Sequence, residues 1–284
     1  MTNPLITLYV PGTRNDLIQK AAKYEPDAII IDLEDTVPPA IKADARKQVS
    51  DVIPELDIPA IVRVNNEPEY LLHDLEAIAS DKIVGLIIPK IESTESVQRI
   101  DQELQRIENE RGLAARTVKL ILQIESTLGV MRCYDLLTAA SRIESLTFGS
   151  AEDGDLQRDL DCAYSVEGIE LLYARSKVLL EGRAAKLPYV LDGVFSNIKD
   201  TEAFRQDCVL SRRLGYDGRT LIHPGQIAIA REAYRLSETA KLHYKNVIEE
   251  FEAAERRGEA SIQVDGKLID YAMYNQAKKA LSRV

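Results

Sequence analysis

A chain of 284 residues that is 45% hydrophobic and 29% charged has the balance of a globular protein with one sizeable core, which excludes wholesale disorder. Its formal net charge of -10 argues against a nucleic-acid partner, because phosphate binding needs a basic face. No stretch approaches the roughly 20 apolar residues of a membrane span. Cys133, Cys162 and Cys208 are too scattered for a disulfide framework or a paired metal site and read as small buried hydrophobes. The opening MTNPLITLYV lacks a basic leader region, so a cytoplasmic location is expected.

Short apolar runs rich in β-branched residues recur along the chain. In order they are Leu5–Val10, Ala28–Leu33, Ala60–Val64, Val84–Pro89, Val118–Ile124, Ser145–Phe148, Pro188–Leu191 and Thr220–Ile222. Between them, segments such as Asn15–Tyr24, Thr94–Arg111, Leu128–Ser141, Glu167–Glu181 and Ala203–Leu214 space their apolar residues by three and four, as one-sided helices do. Strand and helix in regular alternation predict an α/β fold, a (β/α)8 TIM barrel. The competing open, doubly wound sheet is weakened by the lack of any GxGxxG after a strand. The barrel is expected over residues 1–230 and a C-terminal helical extension over 231–284; after the eighth strand the chain continues through a helix around Gln226–Arg257, the stretch GEASIQVDGKLID and a last helix.

Barrel chemistry sits at the C-terminal ends of strands, so the residues closing each run are the candidates. The first run closes in Val10-Pro11-Gly12-Thr13-Arg14, the second in Asp32-Leu33-Glu34-Asp35, the third in Arg63-Val64-Asn65 and the fourth in Pro89-Lys90-Ile91-Glu92. The fifth closes in Gln123-Ile124-Glu125, the sixth in Gly149-Ser150-Ala151-Glu152-Asp153 and the eighth in His223-Pro224. Glu125 and Asp153, from successive strands, can converge on a hard cation such as Mg²⁺, which takes one or two carboxylates and completes its octahedron with waters and substrate oxygens. Two structural roles stand beside that reading: an arginine partner for Glu125 and a helix cap for Asp153. Arg63 can clamp a carboxylate or offset an enolate oxygen, or serve as partner to Asp32 or Glu34. Asp32 and Glu34 share one side of their strand and are read as groups that orient Arg63 or metal-bound water, with plain salt bridging as the alternative. His223 reads as an acid–base group or, more readily, a satisfied histidine under the barrel mouth. His73 and His243 read as surface residues.

Taken together, LYVPGTR, AIIIDLEDTVPPAIKADAR, IVRVN, GLIIPKIES, LQIEST, LTFGSAED, DGVFSNIKD and LGYDGRTLIHPGQI resemble the citrate lyase β-subunit-like branch of the HpcH/HpaI aldolase family, which includes malyl-CoA, citramalyl-CoA and citryl-thioester lyases. The resemblance covers most of positions 5 to 230 and departs at Thr13 and Asn15, where the family more often has asparagine and proline. It implies a Mg²⁺-dependent (Mn²⁺ possible) carbon–carbon lyase that splits a β-hydroxyacyl-CoA into an acyl-CoA and a small 2-oxoacid. Glu125 and Asp153 fall at the metal carboxylates, Arg63 at the substrate arginine and Arg14 near the CoA-binding part of the site. The stretch VDGKLIDYAMYNQAKKAL resembles the segment by which such lyases deliver an aspartate to a neighbouring subunit. That reading makes Asp270 an acid–base group in a homo-oligomer, trimeric or hexameric; the residues alone suggest a helix cap. An aldolase on free 2-oxoacid adducts, an acyl-CoA thioesterase on the same metal site, a lyase subunit acting on a carrier-protein thioester, and a catalytically silent barrel are the alternatives.

Overall fold

The computed structural model describes residue 3 and residues 5–281; the outermost ends of the two expected segments lie outside the described residues. Eight parallel strands close a barrel in sequence order: β1 (Ile6–Pro11), β2 (Ala28–Asp32), β3 (Ala60–Arg63), β4 (Gly85–Ile88), β5 (Lys119–Ile124), β6 (Ile143–Phe148), β7 (Leu191–Asp192) and β8 (Gly218–Leu221). The circle closes where Thr7 of β1 pairs on one side with Ala28 of β2 and on the other with Thr220 of β8. This is the (β/α)8 barrel that the alternation of runs predicts.

Strand side chains alternate between the two faces of a sheet. Ala28, Ile30, Ile61, Ile87 and Ile121, with Tyr9 and Val84 against them, form one cluster drawn from five strands, which only the barrel interior allows. Two residues further along the same faces, the side chains turn polar: Ile30 is followed by Asp32, Ile61 by Arg63, and Ile121 by Gln123 and then Glu125. The interior is thus apolar below and polar at its C-terminal mouth, and the change falls within single strands.

The seventh strand is shorter than its apolar run. Tyr189 and Val190 are buried, but side chains take their backbone groups: Ser145 Oγ donates to the Tyr189 carbonyl and the Val190 amide donates to Asp217. The helix expected across Leu128–Ser141 is two short ones, Thr127–Met131 and Cys133–Thr138, parted at Arg132. Cys133 and Cys208 are buried as expected, Cys162 is half-buried, and all three are free thiols.

A second compact unit begins after Ala233. Its helices Glu238–Glu255 and Tyr271–Leu281 flank a hairpin of Ile262–Val264 and Lys267–Ile269, which falls within the stretch GEASIQVDGKLID. The two-residue turn Asp265-Gly266 has positive φ at both positions, 50° and 75°, the geometry favoured for tight hairpins. Val247, Phe251, Val264, Ile269 and Ala277 form the unit's own core, with Phe251 between the rings of Tyr271 and Tyr274. Among the described residues no helix is long and apolar enough to cross a membrane.

Candidate active site

The polar mouth of the barrel opens into a cavity of about 220 Å³ lined by Tyr9, Asp32, Arg63, Gln123, Glu125 and Asp155, among others. That volume suits a small organic acid.

Arg63 is 8% exposed and held on three sides. Its Nε and Nη2 donate to Asp32 at 2.7 and 2.8 Å, Nη1 lies 3.1 Å from Glu34, and the guanidinium sits 5.0 Å from the centre of the Tyr9 ring. Asp32 also accepts from the Glu34 amide and from the Thr36 amide and hydroxyl, so it is fully satisfied. Burial pushes its carboxyl up, but the bonds and charge of Arg63 outweigh this and hold it below the usual carboxylate range. The side-on edge of Arg63 is spent on Asp32. The end-on pair Nη1 and Nη2 keeps donors for a ligand, since a guanidinium has five.

Glu125 is 6% exposed. Gln123 Nε2 donates to one oxygen at 2.5 Å and the Lys90 amide to the other at 2.9 Å, while the Tyr9 hydroxyl donates to Gln123 Oε1 at 3.0 Å. The Glu125 carboxylate is therefore oriented by a chain of neutral donors. Among the described residues no cation lies within ion-pair distance of it, and burial pushes its carboxyl up. Gly149 leaves it room: a Cβ there would stand 2.4 Å from the Glu125 Cβ.

Two further lysines shape the mouth. Buried Lys42 donates to the Leu33 and Glu34 carbonyls at 3.1 and 2.9 Å and to Asn65 Oδ1, fixing the loop after β2. Lys90 reaches Glu34 at 2.5 Å and Asp35 at 3.1 Å, and lies 3.6 Å from Asp155. Burial pushes Glu34 up to about 7, against the pull of Arg63 and Lys90.

Not every residue expected at the site is there. Asp153 is exposed, has φ 57° and does not line the cavity, whereas Asp155, two residues on, does. The left-handed turn at Asp153 sends its side chain outward, and its amide donates to Gln157 Oε1; Asp155 opens the helix Asp155–Leu160. Arg14 also lies outside the cavity lining, exposed and paired with Asp16 at 2.9 Å. His223 caps the turn Pro224–Gln226 by accepting from the Gly225 amide. In the second unit Asp270 caps the last helix, accepting from the Ala272 and Met273 amides at 2.8 and 3.2 Å. His243 pairs with Asp265 at 3.1 Å.

Residues 5–224 match the family described as HpcH/HpaI aldolase/citrate lyase. The chain belongs to that family. Among family relatives, citrate lyase subunit beta of Haemophilus influenzae is 33% identical over 280 residues, covering 97% of this chain and 95% of the relative. A (3S)-malyl-CoA thioesterase of Cereibacter sphaeroides is 31% identical over 281 residues, covering 97% and 93%. In structure, CitE of Mycobacterium tuberculosis in complex with magnesium, acetoacetate and coenzyme A matches with TM-score 0.76 and 25% identity, over 98% of this chain and 96% of that one. Membership makes this an enzyme family with a common barrel, and the cavity sits where barrel enzymes carry their chemistry. Tyr9 lies before the end of its strand and escapes the strand-end rule, whereas Gln123 and Lys90 stand among the closing residues with no role that the sequence assigns. Tyr9 and Gln123 carry a readable signal, alternation placing them on the interior face with Arg63 and Glu125; Lys90, with left-handed φ 50°, reaches Glu34 and Asp35 and does not line the cavity.

Proposed function

We propose that this chain is a divalent-metal-dependent carbon–carbon lyase that splits a β-hydroxyacyl thioester into an acyl thioester and a small 2-oxoacid. The observation that carries the reading is the buried Glu125 carboxylate, oriented by two donors yet without a cationic partner, with Asp155 lining the same cavity. A buried charge needs compensation, and a carboxylate pair fits a hard cation that keeps several waters. Glu125 and Asp155, rather than Asp153, hold the metal in this proposal. The CitE complex with magnesium is consistent with it.

A divalent cation held by these carboxylates would supply Lewis acidity at the mouth of the barrel. The chain's own residues do the rest. Arg63, clamped by Asp32, presents Nη1 and Nη2 to the negative oxygen that develops as the carbon–carbon bond breaks. Glu34, buried between Arg63 and Lys90, holds the two cations in place. Asp270, whose Oδ2 accepts no hydrogen bond among the described residues, acts at the acyl α-carbon, delivered by the C-terminal unit to a neighbouring subunit of a homo-oligomer, and Arg14 meets the CoA portion. The enzyme works in the cytoplasm.

The test is to offer malyl-, citramalyl- and citryl-CoA with Mg²⁺ and to identify the released acid. Glyoxylate, pyruvate or oxaloacetate supports the lyase. Free thiol without a 2-oxoacid would instead support the second reading, hydrolysis, which the malyl-CoA thioesterase relative favours. The citrate lyase relative makes a carrier-protein thioester the substrate to try if CoA esters are not turned over.

A further inference from the structure

A polar contact crosses the barrel interior from β1 to β5, strands that stand opposite each other in the closed ring. The Tyr9 hydroxyl donates to Gln123 Oε1 at 3.0 Å, over a sequence separation of 114 residues. Only a long side chain from each wall closes that gap. The Tyr9 ring is fixed from below, where it packs on the cluster of Ala28, Ile30 and Ile61, and the Arg63 guanidinium lies 5.0 Å from its centre. Burial pushes the phenol far up, so the hydroxyl stays protonated and acts as a donor. The consequence falls on the amide of Gln123. A glutamine has a donor end and an acceptor end; turned over, it would set its oxygen against a carboxylate oxygen. Because the Tyr9 hydroxyl occupies Oε1, Nε2 faces Glu125 and donates to it at 2.5 Å.

We propose that Tyr9 is a positioning residue for the metal carboxylate: from across the barrel its hydroxyl fixes the sense of the Gln123 amide, and the amide in turn fixes Glu125. This rests on the reading of Glu125 as a metal carboxylate. The same side chain holds Arg63 against its ring, so the metal-facing and substrate-facing sides of the mouth share one frame. Partners that orient a metal ligand are worth about ten- to a hundredfold in metal affinity. Tyr9 acts on Glu125 only through Gln123, and that serial arrangement distinguishes it from a tyrosine that merely fills the barrel.

The test is Mn²⁺ binding to the full-length chain by titration calorimetry, with circular dichroism reporting the fold and melting temperature of each variant. Tyr9→Phe removes the hydroxyl and keeps the ring against Arg63; Gln123→Met removes the amide and keeps the length. Gln123→Met is expected to bind Mn²⁺ roughly ten-fold more weakly than wild type and Tyr9→Phe roughly five-fold more weakly. The double variant is expected to bind no more weakly than Gln123→Met, because the hydroxyl then has nothing to act through. Tyr216→Phe deletes a buried hydroxyl bonded to the Arg175 carbonyl at 2.8 Å, away from the cavity lining. As the control it should melt earlier and bind Mn²⁺ as wild type does. If wild type binds Mn²⁺ and Glu125→Gln does not, then undiminished affinity in folded Tyr9→Phe, or losses that simply multiply in the double variant, would overturn the role of Tyr9 alone. Mn²⁺ binding absent from wild type, or undiminished in Glu125→Gln, would overturn the metal reading and this inference with it.

Discussion

Arg63 and Asp32 face each other from adjacent strands, β3 and β2, as directly paired residues, and are joined by two hydrogen bonds at 2.7 and 2.8 Å. The pair is buried on both sides, so removing one member strands the other. Asp32→Ala is expected to lower stability by about 3–5 kcal/mol, the usual cost of an unpartnered buried charge, read as a drop in melting temperature. Arg63→Lys keeps the charge but cannot fork. It is expected to lower kcat/KM by on the order of a hundredfold with a smaller loss of stability. Wild-type turnover in Arg63→Lys would mean that the arginine serves the fold alone.

The carboxylates give a three-way comparison. Glu125→Gln and Asp155→Asn are each expected to lower metal-dependent turnover by at least about a hundredfold while leaving the barrel folded. Asp153→Asn, at an exposed turn outside the cavity lining, is expected to stay within about two-fold of wild type, since surface substitutions away from special features change little. Steady-state rates across a Mg²⁺ titration decide it. Loss at Asp153 with retention at Asp155 would return the metal to the position expected from sequence.

The difference between these two aspartates shows where the sequence is legible. Alternation along β2, β3 and β5 places Asp32, Arg63 and Glu125 in the barrel mouth, because period two is fixed by the pleat. Past the strand end no period operates. Whether Asp153 or Asp155 turns inward depends on the left-handed φ at Asp153 and on the start of the helix Asp155–Leu160, and an aspartate in such a conformation is uncommon enough that the sequence does not announce it. Lys90 and the short β7 escape notice for the same reason: a backbone reversal and side-chain capture of backbone groups leave no periodic trace. The Asp265-Gly266 turn was readable, since that dipeptide between alternating residues is a hairpin signal.

Glu34 links the site to pH. Burial raises it to about 7 from the 4.5 of an ordinary glutamate, so between those values the folded chain holds a proton that the unfolded chain has released. The stability this group contributes is therefore full below about pH 4.5 and is lost as pH rises through the interval. Asp32, held low by Arg63, has the opposite sign: its contribution is present above the ordinary aspartate range and fades as pH falls below it. Melting temperatures of wild type and Glu34→Gln across pH 4.5 to 8 separate the two. Relative to the variant, wild type should lose stability toward pH 8, and parallel curves would show that Glu34 stays ionised throughout.

Asp270 has an observed role as a helix cap and a proposed role in proton transfer, and substitution can part them. As the cap of helix Tyr271–Leu281 it accepts from the Ala272 and Met273 amides through Oδ1, a contact that asparagine reproduces and alanine does not. Asp270→Ala is expected to destabilise the C-terminal unit by about 1 kcal/mol, seen as earlier proteolysis after Ala233. Asp270→Asn keeps the cap but offers no carboxylate, so it should bind metal and thioester normally while losing exchange of the acyl α-proton with solvent, followed by deuterium uptake. The amide cannot take up a proton from carbon as a carboxylate can, which makes the expected deficit kinetic and independent of folding. Wild-type exchange in Asp270→Asn, alongside a weakened helix in Asp270→Ala, would leave the aspartate as a cap and place the proton transfer elsewhere in the barrel mouth.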